Sequence, residues 1–204
     1  MIEKVGIVSY GCGNLKSVSN ALEACGCKFQ IVEKASQLKD INKLILPGVG
    51  AFDYAMNLLL NSGLAPALKE WICDENNKLL GICLGMQLLC RSSEESLENH
   101  IGLALIDADV KKLISDIEVR LPNIGWSEVF FSRKEWKQHD GDYFFMHSYG
   151  VYCDNKDHSL AWSKYGNTKF SSAVTNGRNV FGLQFHPEKS HRKGLSLLFD
   201  FIQL

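Results

Sequence analysis

The stretch that decides the fold is Lys78–Leu89, KLLGICLGMQLL. It begins as an apolar run, passes through Gly81-x-Cys83-x-Gly85, and ends in the amphipathic start of a helix. This pattern is typical of a nucleophile elbow, a sharp strand-to-helix turn that only flanking glycines can accommodate. The turn exposes Cys83 at a helix N-terminus, where free N–H groups favour a thiolate. A buried structural cysteine is the alternative interpretation for this segment alone.

A second segment, Phe185–Glu188 (FHPE), supplies a base and an acid far along the chain. Pro187 holds His186 extended, so Glu188, two residues on, lies on the same side and reaches the imidazole ring. A carboxylate on one ring nitrogen leaves the other free to take the thiol proton. We therefore predict a catalytic triad of Cys83, His186 and Glu188. Three other histidines are interpreted as structural or surface residues: His100, His139 and His158.

The chain alternates predicted strands and helices, which is typical of a parallel sheet. The strands are Val5–Ser9, Lys28–Val32, Lys43–Leu46 and Leu79–Ile82, and the helices are Leu15–Cys25, Ala51–Leu60, Pro66–Asp74 and Arg192–Ile202. Farther on, Ser171–Thr175 and Val180–Phe185 flank an Asn-Gly turn and predict a hairpin. The expected fold class is α/β: an open, mostly parallel sheet with helices on both faces, extended by antiparallel strands in the C-terminal half.

Composition narrows the range of functions. The 204 residues are 46% hydrophobic and carry a formal charge of −1, so we expect one domain over 1–204 without a nucleic-acid or anionic-membrane surface. The 7 cysteines have no zinc-type spacing, which predicts reduced thiols, no metal and no cofactor. Neither a leader pattern nor a long apolar run is evident, so we expect a cytoplasmic protein.

The segment Pro47–Gly50 (PGVG) follows a predicted strand and is the candidate oxyanion strand. Acyl transfer at Cys83 needs backbone N–H groups near the developing oxyanion, and glycines let the main chain approach closely. Val49 N–H and Leu84 N–H are the predicted donors. Because glycines flank Val49, its peptide can rotate, and we expect the oxyanion hole to be incomplete in the isolated chain. An ordinary strand-to-helix turn is the alternative.

Taken together, Gly81–Gln87 and Gln184–Glu188 resemble the motifs of class I glutamine amidotransferases, the triad glutaminases. Other segments narrow the resemblance to the glutaminase subunits of imidazole glycerol phosphate synthase, from histidine biosynthesis. These segments are Tyr10–Val18, Pro47–Phe52, Gly125-Trp126, His147–Tyr149 and His186–Ser190. The likeness runs essentially from end to end.

The resemblance implies a mechanism and a binding site. Cys83 attacks the side-chain amide of glutamine, His186 moves the protons, and Glu188 orients His186, giving glutamate and ammonia. The residues implied to bind glutamine are Gly50, Gln87, Ser148 and Tyr149.

The resemblance also implies a partner. Ammonia released into neutral water becomes ammonium and loses its nucleophilicity, so it needs a dry path to its acceptor. Only one predicted helix follows Glu188, and we expect the acceptor site on a separate subunit. In the family this subunit is a (β/α)₈-barrel cyclase that acts on an aminoimidazole precursor, and the two form a heterodimer. The implied interface residues are Trp126, Ser127 and Lys189.

Several positions depart from the family pattern without touching the triad. They are Ser9, Asn123, Ser127, His191 and the segment Ala108–Val110. Because Ser127 lies toward the partner in the family, a paralogous glutaminase supplying a different synthase stays open, for example one that aminates a surface-polysaccharide sugar. Two further alternatives are a free-standing cysteine hydrolase and a regulatory module that kept a glutaminase shape.

Overall fold

The computed structural model describes residues 4–98, 100–114 and 120–204. The helices are α1 (Leu15–Ala24), α2 (Phe52–Asn61), α3 (Leu64–Trp71), α4 (Leu84–Leu89) and α5 (His191–Gln203). The strands are β1 (Lys4–Val8), β2 (Lys28–Val32), β3 (Lys43–Gly48), β4 (Lys78–Cys83), β5 (Ser92–Ser93), β6 (Ala108–Lys112), β7 (Asn123–Phe131), β8 (Gly141–His147), β9 (Tyr149–Cys153), β10 (Ser159–Tyr165), β11 (Thr168–Thr175) and β12 (Val180–Leu183). In the described part of the chain, no helix has the length and apolarity needed to cross a membrane.

The strands form a mixed sheet in the order β2-β1-β3-β4-β12-β11-β10-β7-β8. The first five strands of this path are parallel to one another. From β12 onward the pairings are antiparallel, and β9 connects β11 to β6 beside the main path. Strand β12 is therefore the junction of the two halves, since it runs parallel to β4 and antiparallel to β11.

Alternating side chains of the parallel strands build a core on each face. On β3, Leu44 and Leu46 point to one side and pack with helices α2, α3 and α4. Ile45 points to the other side and packs with α1 and α5. All three side chains are fully buried, as the two-residue period of a strand covered on both faces requires. The helices accordingly cover both faces, as the sequence predicts.

The helix predicted over Pro66–Asp74 has the wrong boundaries, because α3 runs over Leu64–Trp71. The prediction placed Pro66 at the first helical position, whereas it is the third. Proline is tolerated there because the N–H groups of a first helical turn have no intrahelical partner. The residue before the helix, its N-cap, is Gly63, which has a φ of 74°. The predicted hairpin forms between β11 and β12, but β12 ends at Leu183 and leaves Gln184 and Phe185 beyond it.

Candidate active site

Cys83 is the last residue of β4 and directly precedes the first residue of α4. Its φ of 54° is in the left-handed region, which costs a non-glycine residue strain and is typical of an elbow. The turn is possible because Gly85 has no side chain: a Cβ atom there would lie 1.9 Å from the carbonyl oxygen of Leu46. Cys83 is 6% exposed and lines a cleft. The sequence pattern therefore produces the predicted elbow geometry.

His186 and Glu188 form a buried pair beside Cys83. The Nδ1–H of His186 donates to Oε1 of Glu188 at 2.8 Å, which leaves Nε2 as the nitrogen available to a thiol proton. Nε2 is itself buried and has no hydrogen-bond partner. Burial opposes a charge on the ring, but the interactions with Cys83 and Glu188 outweigh it and raise the pKa of His186 to about 10. The geometry suits proton exchange between Cys83 and His186.

Ser190 fixes the backbone of His186. Its hydroxyl donates to the carbonyl oxygen of His186 at 2.6 Å and accepts the N–H of Phe144 at 3.0 Å. The N–H of His186 in turn donates to the carbonyl of Phe144 at 2.8 Å. The base is thus tied to β8, a strand of the antiparallel half. These two hydrogen bonds give Ser190, two residues after the His-Pro-Glu motif, a structural role.

The cleft has a volume of about 280 Å³, which suits a small ligand. It brings together Cys83 and His186 with all of the residues predicted to form the oxyanion hole or bind substrate: Val49, Leu84, Gly50, Gln87, Ser148 and Tyr149. Glu188 lies outside the lining, behind His186. Trp126, Ser127 and Lys189 do not line the cleft.

Gln87 is a buried amide at the floor of the site, 4% exposed. Its Nε2 donates to the carbonyl oxygen of Tyr149 at 3.2 Å and to Oε1 of Gln184 at 3.0 Å. Gln87 therefore ties helix α4 to the strand that carries Tyr149. Gln184 is fully buried and was not among the predicted site residues. It begins the Gln184–Glu188 motif, but the sequence alone assigns it no role.

His147 is a buried neutral histidine in the wall of the cleft. Its Nδ1–H donates to the carbonyl of Tyr149 at 2.8 Å, so Nε2 accepts from the Asn123 amide at 3.0 Å. Burial lowers the pKa of His147 to about 4. The charge of His186 adds to this effect, and the hydrogen bond to Tyr149 opposes it. Asn123 thus fills a structural role at a position where the sequence departs from the family pattern.

Glu95 is a cleft residue that the sequence did not reveal. Its Oε2 accepts the N–H of Phe52, the first residue of α2, at 2.9 Å. Burial raises the pKa of Glu95, and the nearby carboxylate of Asp53 raises it further. The hydrogen bond from Phe52 N–H acts in the opposite direction. The neighbouring turn is held by Asp53, which accepts the N–H of Leu97 at 2.8 Å. The segment between α4 and β6 has no periodicity, so no sequence signal marked Glu95.

Two side chains from the loop after β1 hold the oxyanion strand. The hydroxyl of Tyr10 donates to the carbonyl of Pro47 at 2.9 Å, and the thiol of Cys12 donates to the carbonyl of Val49 at 2.7 Å. Gly50 follows with a φ of 95°. The Gly48–Val49 peptide therefore lies between two fixed carbonyls.

The β7–β8 ribbon presents apolar side chains beside the site. Trp126 is 48% exposed and stacks on His191, with ring centroids 5.1 Å apart. The ammonium of Lys189 lies 5.7 Å from the centre of the Phe144 ring. Ser127 follows Trp126 on β7 and is half-buried.

No group of three or more histidine, cysteine, aspartate or glutamate side chains suited to a metal is found in residues 4–98, 100–114 and 120–204. The described residues include all 7 cysteines, and none of them forms a disulfide bond.

A family model described as "Glutamine amidotransferase class-I" matches residues 7–204. The chain therefore belongs to the class-I glutamine amidotransferases. It is 40% identical to "Imidazole glycerol phosphate synthase subunit HisH" of Leptospira borgpetersenii, over 98% of this chain and 100% of that protein. It is also 40% identical to the protein of the same name from Halalkalibacterium halodurans, over 97% of this chain and 94% of that protein. Within its class the chain thus belongs with the HisH synthase subunits.

Solved structures share the fold at low sequence identity. A crystal structure described as a glutamine amidotransferase has a TM-score of 0.77 at 19% identity and covers 98% of this chain and 99% of its own. The structure of PurLQS from Thermotoga maritima has a TM-score of 0.73 at 18% identity and covers 100% of this chain and 99% of its own. These structures confirm the predicted α/β fold. The family model and the HisH relatives confirm the assignment to a glutamine amidotransferase enzyme.

Proposed function

We propose that this chain is the glutaminase subunit of an imidazole glycerol phosphate synthase. It hydrolyses L-glutamine to glutamate and ammonia and delivers the ammonia to a cyclase subunit. The cyclase makes imidazole glycerol phosphate and an aminoimidazole carboxamide ribonucleotide in histidine biosynthesis. The observation that carries the proposal is the Cys83 elbow facing a His186–Glu188 pair in one small cleft. One glutamine amidotransferase domain over 1–204 suffices for this half-reaction.

The chemistry is nucleophilic catalysis in two steps. His186 Nε2 takes the thiol proton, and the sulfur of Cys83 attacks the side-chain amide carbon of glutamine. The C–N bond breaks as the protonated His186 returns the proton to the leaving nitrogen, which departs as ammonia. Water, deprotonated by His186, then attacks the thioester, and the C–S bond breaks to release glutamate and the thiol. Glu188 holds the ring tautomer throughout.

The same cleft offers groups for the substrate's charges. Val49 and Leu84 line the cleft beside Cys83, and their N–H groups are the proposed oxyanion donors, with that of Val49 turned into the site when the partner docks. Glu95 offers one carboxylate oxygen to the α-ammonium of glutamine, since its other oxygen is occupied by Phe52 N–H. The remaining contacts are assigned to Gly50, Gln87, Ser148 and Tyr149. No metal or cofactor has a step to perform.

The proposed partner surface is the exposed face of the β7–β8 ribbon, which carries Trp126, together with Ser127 and Lys189 beside it. Ile124 and Met146 are cross-strand neighbours on this ribbon, 59% and 39% exposed. Exposed apolar side chains beside a polar rim are typical of an interaction site. The carbonyl of Met146 lies 3.7 Å from the sulfur of Cys83, so a subunit docked here covers the exit from the nucleophile. A (β/α)₈-barrel cyclase is the partner that we propose.

The test is steady-state glutamate release by the purified chain alone, with the cyclase, and with the cyclase plus its acceptor ligand. Because the Val49 peptide needs to present its N–H, we expect weak activity alone and a rise of about a hundredfold to a thousandfold in the ligand-bound complex. Formation of the aminated cyclase product from glutamine identifies the acceptor. Full activity of the isolated chain contradicts partner control, and absence of glutamate release under all three conditions contradicts the function.

A second candidate is a paralogous subunit that supplies a different synthase. It is favoured by the partner-facing departures from the family pattern, where Ser127 follows Trp126 and His191 stacks on it. Co-purification separates the two, since a sugar-aminating synthase in place of the cyclase supports the second candidate.

A further inference from the structure

Gln184 occupies a position between the nucleophile and the substrate-binding strand. It follows β12, is fully buried, and lies two residues before His186. Its Nε2 lies 3.9 Å from the sulfur of Cys83, and its Oε1 accepts from Gln87 at 3.0 Å. The Cys83 thiol also donates to the carbonyl of Met146, at 3.7 Å.

The two partners of the sulfur suit two protonation states. The carbonyl of Met146 can only accept, so it holds the sulfur while the sulfur is a thiol. When the S–H bond breaks and the proton moves to Nε2 of His186, that hydrogen bond is lost. The amide N–H of Gln184 can only donate, and a hydrogen bond to an ionised acceptor is stronger than one to a neutral acceptor. Gln184 is thus placed to stabilise the reactive state.

The orientation of the Gln184 amide follows from its neighbours. The carbonyl of Tyr149 cannot donate, so Gln87 has to present its NH₂ group to it. The same NH₂ group contacts Gln184, which therefore has to present its oxygen. The NH₂ group of Gln184 is left pointing at Cys83. Because Gln184 is fully buried, bulk water does not compete for these bonds.

We propose that Gln184 is a further catalytic residue, which donates a hydrogen bond to the Cys83 thiolate and is held in that orientation by Gln87 and the Tyr149 carbonyl. Gln87 then has a positioning function in addition to any contact with glutamine. The proposal rests on the proposed function for its place in the reaction. The hydrogen bond itself concerns the free enzyme and can be measured without glutamine or a partner.

The test follows alkylation of Cys83 by iodoacetamide as a function of pH, with mass spectrometry of the Cys83 peptide to separate it from the other cysteines. Gln184→Met keeps the length of the side chain and removes the donor. We expect the midpoint of the rate profile to rise by about one pH unit, the low end for a hydrogen bond to a charged group. Gln184→Glu keeps the acceptor for Gln87 but presents an oxygen to the sulfur, so the midpoint rises further.

Matched controls are Gln30→Met and Gln30→Glu, which change a half-buried amide on β2 in the same two ways. Neither should move the midpoint. If Gln184→Met does not fold, as judged by circular dichroism, Gln87→Met replaces it. That variant leaves Gln184 in place but frees its orientation, and we expect a smaller upward shift.

An unchanged midpoint in the folded Gln184 variants overturns the proposal, whatever happens to glutamate release. A shifted midpoint in a protein that releases no glutamate even with the cyclase supports Gln184 and overturns the proposed function instead. The two failures are therefore distinguishable.

Discussion

Gly85→Ala is the sharpest test of how the elbow depends on close packing. The new Cβ atom would lie 1.9 Å from the carbonyl oxygen of Leu46, whereas ordinary contacts begin near 3.4 Å. Helix α4 therefore has to move away from β3 by about 1.5 Å, the difference between these distances. Cys83 and the N–H of Leu84 adjoin the start of α4 and move with it.

The two consequences have different sizes. A displacement of about 1 Å in a catalytic group costs on the order of a hundredfold in rate, so we expect at least that loss of glutamate release. Overpacking costs about 1–3 kcal/mol of unfolding free energy, offset by about 1 kcal/mol because alanine is the better helix former. Activity therefore falls far more than stability.

Glutamate release by the complex and urea unfolding of the subunit measure these quantities. Gly177→Ala is the matched control: its Cβ atom has no neighbour within 4 Å, but its φ of 80° strains an alanine. It lies in the β11–β12 turn, at the opposite end of β12 from Gln184. We expect a cost of about 1–2 kcal/mol and unchanged activity. A Gly85→Ala variant with more than a tenth of the normal activity refutes the reasoning.

Three further outcomes follow from the site. Cys83→Ala and His186→Ala should each lower glutamate release by on the order of a thousandfold or more, with little loss of stability for Cys83→Ala, and more than about a tenth of the activity remaining contradicts the covalent mechanism. Glu95→Gln removes the charge assigned to the α-ammonium, so KM for glutamine should rise about tenfold or more with kcat nearly constant, and a change in kcat alone rejects that assignment. Since the pKa of His147 falls from 6.5 to about 4 on folding, its contribution to stability is complete above pH 6.5 and is lost as the pH falls toward 4. The slope is up to about 1.4 kcal/mol per pH unit, and His147→Gln should flatten urea-unfolding free energies across this window.

The sequence predicted most where one local rule determined the structure. The elbow follows from two glycines around Cys83, and the reach of Glu188 follows from the extended chain at Pro187. The boundaries of α3 were wrong because proline is compatible with several positions in a first helical turn, and the packing of Leu64 and Leu68 decides between them.

The remaining parts of the site depend on contacts between distant segments. Glu95 reaches the cleft because its carboxylate accepts the first N–H of α2, and no periodicity in its own segment reports this. In the sequence, Gln184 is a polar residue in an apolar segment. The structure shows that it contacts Gln87 and Cys83. Asn123 departs from the family pattern in sequence, yet it satisfies the buried ring of His147. Such partners are found only once the fold is assembled.

The position of the site at the junction of the two half-sheets has a consequence for control by a partner. The parallel half supplies the nucleophile at the end of β4, and the chain beyond β12 supplies Gln184 and His186. The antiparallel half supplies Met146, whose side chain is 39% exposed on the proposed docking surface while its carbonyl contacts the sulfur of Cys83. If the proposed partner shifts Met146 on docking, we expect the hydrogen bond that holds Cys83 as a thiol to weaken, which leaves the proposed Gln184 contact to favour the thiolate. One residue, Met146, thus connects the proposed docking surface with the nucleophile.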